Sequence, residues 1–243
     1  MPVPRMTRAP VIARRELGSY FFSPMAYVAM FLFLLASGLF FWNDFQPGQP
    51  VGMRSIFDWM VWLLVFVTPV LCMGLLAQEW ASGTIETLMT APVGEPDVVL
   101  GKFMGSLAFL LVLLAPTLLF VVMLMLYGDV DFGPIFSGYL GIVLVGALFI
   151  AIGLFCSSLT RSQVVAAVTA AAILFLVTII PWWLGTRATL TGFWRGVADE
   201  SIFRRYTDFS KGVIDTGNLV FFIAATAVFL FLTVKVLESR RWK

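Results

Sequence analysis

Long runs of uncharged, mostly apolar residues alternate along this chain with short polar segments. Six such runs cover residues 23–42, 59–77, 103–127, 132–159, 164–184 and 216–234, and none contains Asp, Glu, Lys, Arg or His. Each is long enough, as α-helix, to cross a hydrocarbon core of about 30 Å. The pattern predicts an all-α integral membrane protein with six transmembrane helices, the alternative being that one run re-enters the membrane instead of crossing it.

Composition supports this interpretation and excludes several functions. Of the 243 residues, 60% are hydrophobic and 12% are charged, which is more apolar than a water-soluble domain of this size. The absence of histidine removes the usual general base and the usual zinc or haem ligand. A net charge of only +2 gives no overall field for nucleic acid. Cys72 and Cys156 lie inside apolar runs and are predicted to pack as small hydrophobic side chains.

The basic residues predict the topology. They cluster at the two ends of the chain, as Arg5, Arg8, Arg14 and Arg15 before the first run and Lys235, Arg240, Arg241 and Lys243 after the last. Because six crossings put both termini on one side, the positive-inside rule places both in the cytoplasm. The segment 185–215 disagrees, since it must be external although it has five basic residues, but four acidic residues nearly neutralise it.

Residues 1–22 predict an interfacial helix on the inner leaflet. Pro10 suits the first turn of such a helix. One face of the helix consists of Ala13, Leu17, Tyr20 and Phe21, with the arginines elsewhere. The segment lacks the short apolar core and the small-residue cleavage site of a removable signal peptide.

Two further features predict packing and anchoring. Glycines that permit close helix approach lie in the fourth run, at Gly138, Gly141, Gly146 and Gly153. The fifth run ends with Trp182 and Trp183, which are typical of an aromatic belt at a membrane interface. The external loop that follows, residues 185–215, is therefore expected to hold re-entrant or interfacial helices before the sixth span.

The loop between the second and third runs, residues 78–102, is predicted to be an ordered cytoplasmic segment. Gly83 can start a short helix that Pro92 and Gly94 end, and Pro96 and Asp97 then begin the third span. The apolar face of the short helix consists of Ile85, Leu88 and Met89. A short amphipathic helix that projects into water needs a groove on a partner protein for that face. The alternative is that it lies flat on the membrane surface.

This loop resembles the signature of the ABC-2 type transporter permeases. The residues that carry the resemblance are Glu79, Gly83, Thr84, Ile85, Glu86, Thr87, Leu88 and Pro92, followed by Gly101 and Lys102 before a span. Segments 156–163 and 209–215 resemble the second cytoplasmic turn and the external loop of the family. The chain most resembles the branch of gliding-motility and nitrous-oxide-reductase accessory permeases, which often has His-Phe where this chain has Asp208-Phe209.

The resemblance implies a type V exporter-like transmembrane domain in a bacterial inner membrane, and it assigns roles to particular residues. A coupling helix built from the signature residues would dock on a separate ABC-family nucleotide-binding ATPase, with Lys102 below it. Arg161 and Gln163 would make the second contact with that ATPase. The matching residues of the external loop are Phe209, Lys211, Gly212 and Asp215. The family also implies a dimer with a second copy or a paralogue, surrounded by membrane lipids.

The Gly-Lys pair at Gly101 and Lys102 does not make a phosphate-binding loop. That motif requires a glycine five residues before Gly101 and a Ser or Thr after Lys102, but the chain has Pro96 and Phe103 there. We therefore expect no enzyme activity, catalytic residue, metal site or cofactor in this chain. ATP and magnesium would bind to the partner subunit.

Three functions are compatible with the sequence. The first is half of an exporter, and the uncharged spans favour an amphiphilic or lipid-like cargo for it. The second is a membrane scaffold, an accessory component of a motility or maturation machine that binds an ATPase without transport. The third is a membrane-embedded hydrolase or lipid transferase, which needs clustered acids beside a span. Only Asp129 with Asp131 comes close, and a tight turn with Gly133 and Pro134 explains that pair without chemistry.

Overall fold

The computed structural model describes residues 9–44, 52–83, 94–127, 131–186 and 200–241, together with the single positions 192, 195 and 196. The α-helices of five or more residues in these ranges are α1 (Ala9–Phe22), α2 (Pro24–Asp44), α3 (Arg54–Cys72), α4 (Ala77–Ser82), α5 (Glu95–Leu114), α6 (Leu118–Tyr127), α7 (Phe132–Leu159), α8 (Gln163–Gly185), α9 (Ile202–Ser210) and α10 (Thr216–Arg241). A 3₁₀ turn, Ala115–Thr117, joins α5 to α6. None of the described residues forms a strand.

Six helical stretches of the described chain are long and apolar enough to cross a membrane. They are Pro24–Asp44, Arg54–Ser82, Glu95–Leu126, Phe132–Leu159, Gln163–Gly185 and Thr216–Arg240. The second stretch combines α3 with α4, and the third combines α5 with α6. The all-helical fold of a multi-pass membrane protein, predicted from the apolar runs, agrees with this arrangement.

Two of these stretches begin well before the apolar run that predicts them. α3 begins at Arg54. α5 begins at Glu95, where Gly94 and Pro96 provide a helix start that does not depend on hydrophobicity. As a result Asp58 and Lys102 lie within helices that are continuous with the spans, although both lie outside the apolar runs.

The helix α7 is the centre of the bundle and packs against α3, α5, α8, α9 and α10. In its apolar window 72% of the residues are buried, compared with 11% for the sixth stretch, so α10 presents most of its surface outward. A β-carbon at Gly153 would lie 2.6 Å from the Cβ of Cys72, and one at Gly141 would lie 2.8 Å from the Cβ of Phe209. The predicted close approach of helices at the α7 glycines is therefore found in the structure.

The helix α1 packs along the beginning of α5. Pro10 lies in its first turn, as the sequence predicts. Of the predicted apolar face, Tyr20 is buried, Leu17 packs against the core, and Phe21 makes an edge contact with Phe109 of α5 at 6.1 Å between ring centroids. The face predicted to contact lipid is thus used in large part to contact α5.

Candidate functional site

Several helix ends meet at one end of the bundle, which we call the Lys102 end. It is formed by α1, α4, the start of α5, the end of α7, the start of α8 and the end of α10. Direct contacts bring these ends together: Lys102 of α5 bonds to α1 and α4, Ser157 of α7 bonds to the turn before α4, and Arg240 of α10 donates to the carbonyl of Leu159 at the end of α7. Most of the predicted coupling residues in the described ranges lie here.

A break in the second stretch positions α4. α3 contains Pro69, which lacks the N–H of a helical residue, and the helix ends three residues later at Cys72. The hydroxyl of Ser157 accepts hydrogen bonds from the backbone N–H groups of Leu76 and Ala77, each at 3.0 Å, and donates to the carbonyl of Met73 at 3.1 Å. This side chain therefore satisfies backbone groups that the break exposes and fixes the start of α4 on α7.

An ion-pair cluster joins α1, α4 and α5. The ammonium of Lys102 lies 2.9 Å from Oε1 of Glu79 on α4 and 3.2 Å from Oε2 of Glu16 on α1. Lys102 is only 3% exposed, while Glu16 and Glu79 are 17% and 22% exposed. A buried ammonium is costly unless it is paired, so the cluster keeps these three helices in one arrangement.

Two glycines on α5 allow α1 to come close enough for this cluster. A β-carbon at Gly101 would lie 2.6 Å from the Cβ of Ile12, and one at Gly105 would lie 2.7 Å from the Cβ of Glu16. Both distances are shorter than side chains tolerate, so a larger residue at either position would push α1 away. Gly101, predicted as part of a coupling signature, is thus a point of helix contact beside Lys102.

Tyr20 fastens the other end of α1 to the same region. Its hydroxyl donates to the carbonyl of Leu71 at 3.1 Å and lies 2.9 Å from the hydroxyl of Ser106, which bonds to the carbonyl of Lys102 at 3.0 Å. The ring stacks on Phe109 with centroids 4.6 Å apart. Burial raises the pKa of Tyr20 well above its usual value, so the phenol is neutral at physiological pH.

The C-terminal end of α4 is exposed and is capped by a glycine. Gly83 has φ of 71° and caps the C-terminus of α4 in the left-handed conformation. Gly83 therefore ends α4, and the short helix that the sequence predicts to start at this glycine lies outside the described residues. Trp80 of α4 lies under the guanidinium of Arg240, whose central carbon is 4.8 Å from the ring centroid. Trp80 Nε1 and Glu79 Oε2 are buried and have no hydrogen-bond partner among the described residues.

The remaining predicted coupling residues fall into two groups. Gln163 begins α8 and lines a cavity of about 380 Å³ together with Glu16 and Gln78, and Arg161 is exposed in the turn just before it. Thr84, Ile85, Glu86, Thr87, Leu88 and Pro92 lie outside the described residues. The structure therefore brings Glu79, Lys102 and Gln163 to one region and leaves the predicted apolar docking face untested.

The predicted external-loop residues lie at the opposite end of the bundle. Phe209 is fully buried against Gly141 of α7, and its carbonyl accepts a hydrogen bond from Ser137 at 2.7 Å. Gly212, with φ of 92°, follows the end of α9, and Lys211 beside it is exposed. Asp215 accepts a hydrogen bond from the N–H of Gly217 at the start of α10, at 3.0 Å. Phe209 and Asp215 thus make contacts that hold α9 and begin α10.

Sequence reasoning did not identify Glu16, placed Tyr20 on a lipid-facing helix face, and included Ser157 only as part of the segment 156–163. Glu16 is an acid within the basic N-terminal segment, and that exception to the local charge pattern was a usable signal. The spacing of Gly101 and Gly105 by four residues, one helical turn, was a second signal of close helix contact. Ser157 gave no local signal, because its hydrogen bonds reach residues about 80 positions away.

A family model described as ABC-2 family transporter protein matches residues 12–192, about three quarters of the chain. The matched range includes the ion-pair cluster of Glu16, Glu79 and Lys102, whereas α9 and α10 lie beyond it. No curated protein matches the chain.

Proposed function

The chain belongs to the ABC-2 transporter family, and from that premise we propose that it is a permease subunit driven by a separate ATPase that docks at the Lys102 end. In this proposal the Lys102 end faces the cytoplasm of a bacterium and the opposite end faces outward across the inner membrane. The basic residues of α1 and of the end of α10 support that orientation, because both helices contribute to the Lys102 end.

The observation that carries the proposal is the buried ion-pair cluster. α4 leads directly into the segment that resembles the family's coupling helix, and Glu79 on α4 is paired with Lys102 at 2.9 Å. A displacement of α4 by a docked ATPase would be transmitted through Lys102 to α5 and through Glu16 to α1. Separating the pair would leave a charge uncompensated in a buried site, so the three helices move together at lower cost than they move apart.

The docking contact itself is assigned to the segment that follows α4 and to the turn before α8. Glu79 is paired with Lys102 and its oxygen Oε2 is buried, so in this proposal Glu79 transmits movement and does not contact the ATPase. Ile85 and Leu88 would fill a groove on the ATPase, and Arg161 and Gln163 would contact it from the neighbouring turn.

The rest of the assembly follows from the same proposal. A second copy or a paralogue would pack against the exposed helix surfaces at the side of the bundle. The substrate would leave the cell between the two permeases. ATP and magnesium would be bound and consumed in the ATPase subunits, with no catalytic residue in this chain. The uncharged spans support an amphiphilic cargo. The resemblance to the gliding-motility and nitrous-oxide-reductase branch supports a second candidate, an ATPase-binding scaffold.

Co-purification tests the docking. The protein is extracted from native membranes in mild detergent and the proteins that accompany it are identified, with wild type compared with the double variant Glu86→Ala/Leu88→Ala. We expect an ABC ATPase to accompany the wild type and to be lost from the double variant, because the variant removes one acid and one apolar contact. The matched control is Glu238→Ala/Leu232→Ala, which makes the same changes on α10. Absence of any ATPase from the wild-type preparation would contradict the proposal.

A second measurement separates the transporter from the scaffold. ATP hydrolysis by the purified complex is measured in proteoliposomes with and without a lipid extract of the native membrane. Stimulation by a component of that extract supports transport, since turnover then depends on a cargo. An ATPase that binds but whose turnover never responds to any component supports the scaffold.

A further inference from the structure

The end of the bundle opposite Lys102 contains a cavity of about 950 Å³ between α3, α8 and α9. We call this end of the bundle the Trp62 end. The walls come from the first turns of α3 and the last turn of α8, which are the ends of two candidate spans. The end of a span lies at the depth of the lipid headgroups, where tryptophan is enriched. The volume is in the range of specific small-molecule sites.

Aromatic rings form one wall of the cavity. Trp62 lies 4.7 Å from Phe203 and 5.0 Å from Trp182 between ring centroids, so residues of α3, α8 and α9 make a single cluster. Trp59, one turn earlier on α3, stacks on Phe40 of α2 at 4.1 Å and also lines the cavity. Indole faces attract ammonium groups, because the face of the ring carries the negative part of its quadrupole.

The polar lining contains an acid that the protein itself leaves incompletely bonded. Asp58 lines the cavity, and its Oδ1 is buried with no hydrogen-bond partner among the described residues. The hydroxyl of the fully buried Tyr206 also has no partner in the described ranges. Burial, with the charge of Asp58 as a second cause, raises the pKa of Tyr206 well above its usual value. By contrast Asp208, the other acid among the described residues of the lining, accepts a hydrogen bond from Asn218 at 2.9 Å.

Positive charge lies at the rim. Arg204 and Lys211 both line the cavity and both are exposed, whereas Asp58 and Asp208 are partly buried. The two carboxylates are therefore more buried than the two cations, while the indole of Trp62 is half-buried and those of Trp59 and Trp182 are 41% exposed. A zwitterion that enters with its ammonium first and keeps its anionic group outside matches this order.

We propose that the cavity at the Trp62 end binds the headgroup of phosphatidylethanolamine from the outer leaflet. The primary ammonium pairs with the carboxylate of Asp58 and contacts the indoles of Trp62 and Trp182, and the phosphodiester remains at the rim near Lys211. The acyl chains stay in the bilayer, because the site lies at headgroup depth. The assignment to the outer leaflet rests on the orientation proposed above, whereas headgroup binding itself does not depend on ATPase docking.

The chemistry also selects among lipids. Phosphatidylglycerol has no ammonium and would bring only negative charge toward Asp58 and Asp208. Phosphatidylcholine has a quaternary ammonium, which can contact indoles but has no N–H to donate to the carboxylate of Asp58. Phosphatidylethanolamine alone among these three provides both the charge and the hydrogen-bond donor.

Native mass spectrometry of the purified full-length protein tests the proposal. The three lipids, with identical acyl chains, are titrated into wild type, Asp58→Asn and the control Asp131→Asn, which makes the same charge change on an exposed helix cap. A hydrogen bond to a charged group is worth about 1.5–3 kcal/mol, so Asp58→Asn should weaken phosphatidylethanolamine binding by about tenfold or more. Asp131→Asn should leave it unchanged. Wild type should bind phosphatidylglycerol and phosphatidylcholine several-fold more weakly.

A second pair of variants keeps the test valid if Asp58→Asn does not fold. Trp182→Ala removes an indole that lines the cavity, and Trp183→Ala removes the neighbouring indole, which does not line it. We expect only Trp182→Ala to weaken phosphatidylethanolamine binding. Equal affinity of Asp58→Asn and Asp131→Asn, equal loss in the two tryptophan variants, or equal binding of phosphatidylglycerol would overturn the proposal.

Discussion

The two ends of the bundle treat buried charge in opposite ways. At the Lys102 end a cation that is 3% exposed lies between two acids from two other helices, at 2.9 and 3.2 Å. At the Trp62 end the acid Asp58 faces a cavity of about 950 Å³, and one of its oxygens has no partner among the described residues. A charge that is buried and paired between helices makes separation of those helices costly. An acid beside open space leaves a position for a ligand.

Among the variants that test this difference between the two ends, Lys102→Met should lower the free energy of unfolding most. The variant leaves Glu16 and Glu79 as two neighbouring acids that have lost their common partner, so we expect a loss of about 3 kcal/mol in the free energy of unfolding. Denaturant unfolding in detergent measures this loss. The control is Lys235→Met, because Lys235 is 53% exposed and its pair with Glu238 lies on the surface. Equal stability of the two variants would remove the distinction between a buried cluster and a surface pair.

Adjacent serines on α7 give the next largest contrast. Ser157→Ala removes the acceptor of two backbone N–H groups at the break before α4, and we expect a cost of about 2 kcal/mol. Ser158→Ala removes only a hydroxyl that bonds to the carbonyl of Phe155 on its own helix, and it should cost less than about 0.5 kcal/mol. Thermal unfolding of both variants is the measurement. A reversed order would show that Ser157 does not hold α4.

A pair of glycine variants tests the contact between α1 and α5. Gly101→Ala places a β-carbon 2.6 Å from the Cβ of Ile12, whereas Gly18→Ala on α1 meets nothing within 4 Å. The second variant should stabilise the helix slightly, because alanine is the better helix former. The first should destabilise the protein by about 1 kcal/mol in spite of the same gain. Limited proteolysis of residues 1–22 reads out the loosening of α1 directly, and equal cleavage of both variants would contradict the contact.

The smallest effect is expected from replacing a tyrosine by phenylalanine at each end of the bundle. Tyr20→Phe loses hydrogen bonds to Ser106 and to the carbonyl of Leu71, so we expect a cost of about 1 kcal/mol. Tyr206→Phe removes a hydroxyl that has no partner among the described residues, and it should be neutral or slightly stabilising in lipid-free detergent. Unfolding of both variants under identical conditions measures the difference. A larger cost at Tyr206 would mean that its hydroxyl is bonded in solution.

The sequence alone predicts the six spans but not the ion-pair cluster of Glu16, Glu79 and Lys102. The six spans follow from run length, because lipid requires each crossing to satisfy its own backbone hydrogen bonds as a helix. Pro10, Pro96 and the α7 glycines also act as predicted, since their effects are local or depend only on size. Lys102 was singled out through a resemblance, yet its partner Glu16 lies 86 residues earlier. No periodicity relates two residues so far apart, and only the folded chain brings them together.

Gly83 shows a second reason why the sequence alone does not predict the whole site. Its left-handed conformation ends α4, but a glycine before an amphipathic segment also suits a helix start, and the two interpretations share the same sequence signal. The helix expected after it, which contains Ile85 and Leu88, lies outside the described residues. The docking face of this site therefore stays a prediction, while its attachment to α5 and α7 through Glu79 and Ser157 is observed.

In the proposed mechanism the Glu16–Lys102–Glu79 cluster transmits movement between the ATPase and the spans. The most direct test is ATP hydrolysis by the co-purifying ATPase in proteoliposomes, with wild type, Lys235→Met and the neutral triple variant Glu16→Gln/Glu79→Gln/Lys102→Met. Removing all three charges together should restore much of the stability lost in Lys102→Met. We predict that the triple variant folds and binds the ATPase but loses the dependence of ATP hydrolysis on the permease, whereas Lys235→Met keeps it. Full permease-dependent hydrolysis with the triple variant would contradict the claim.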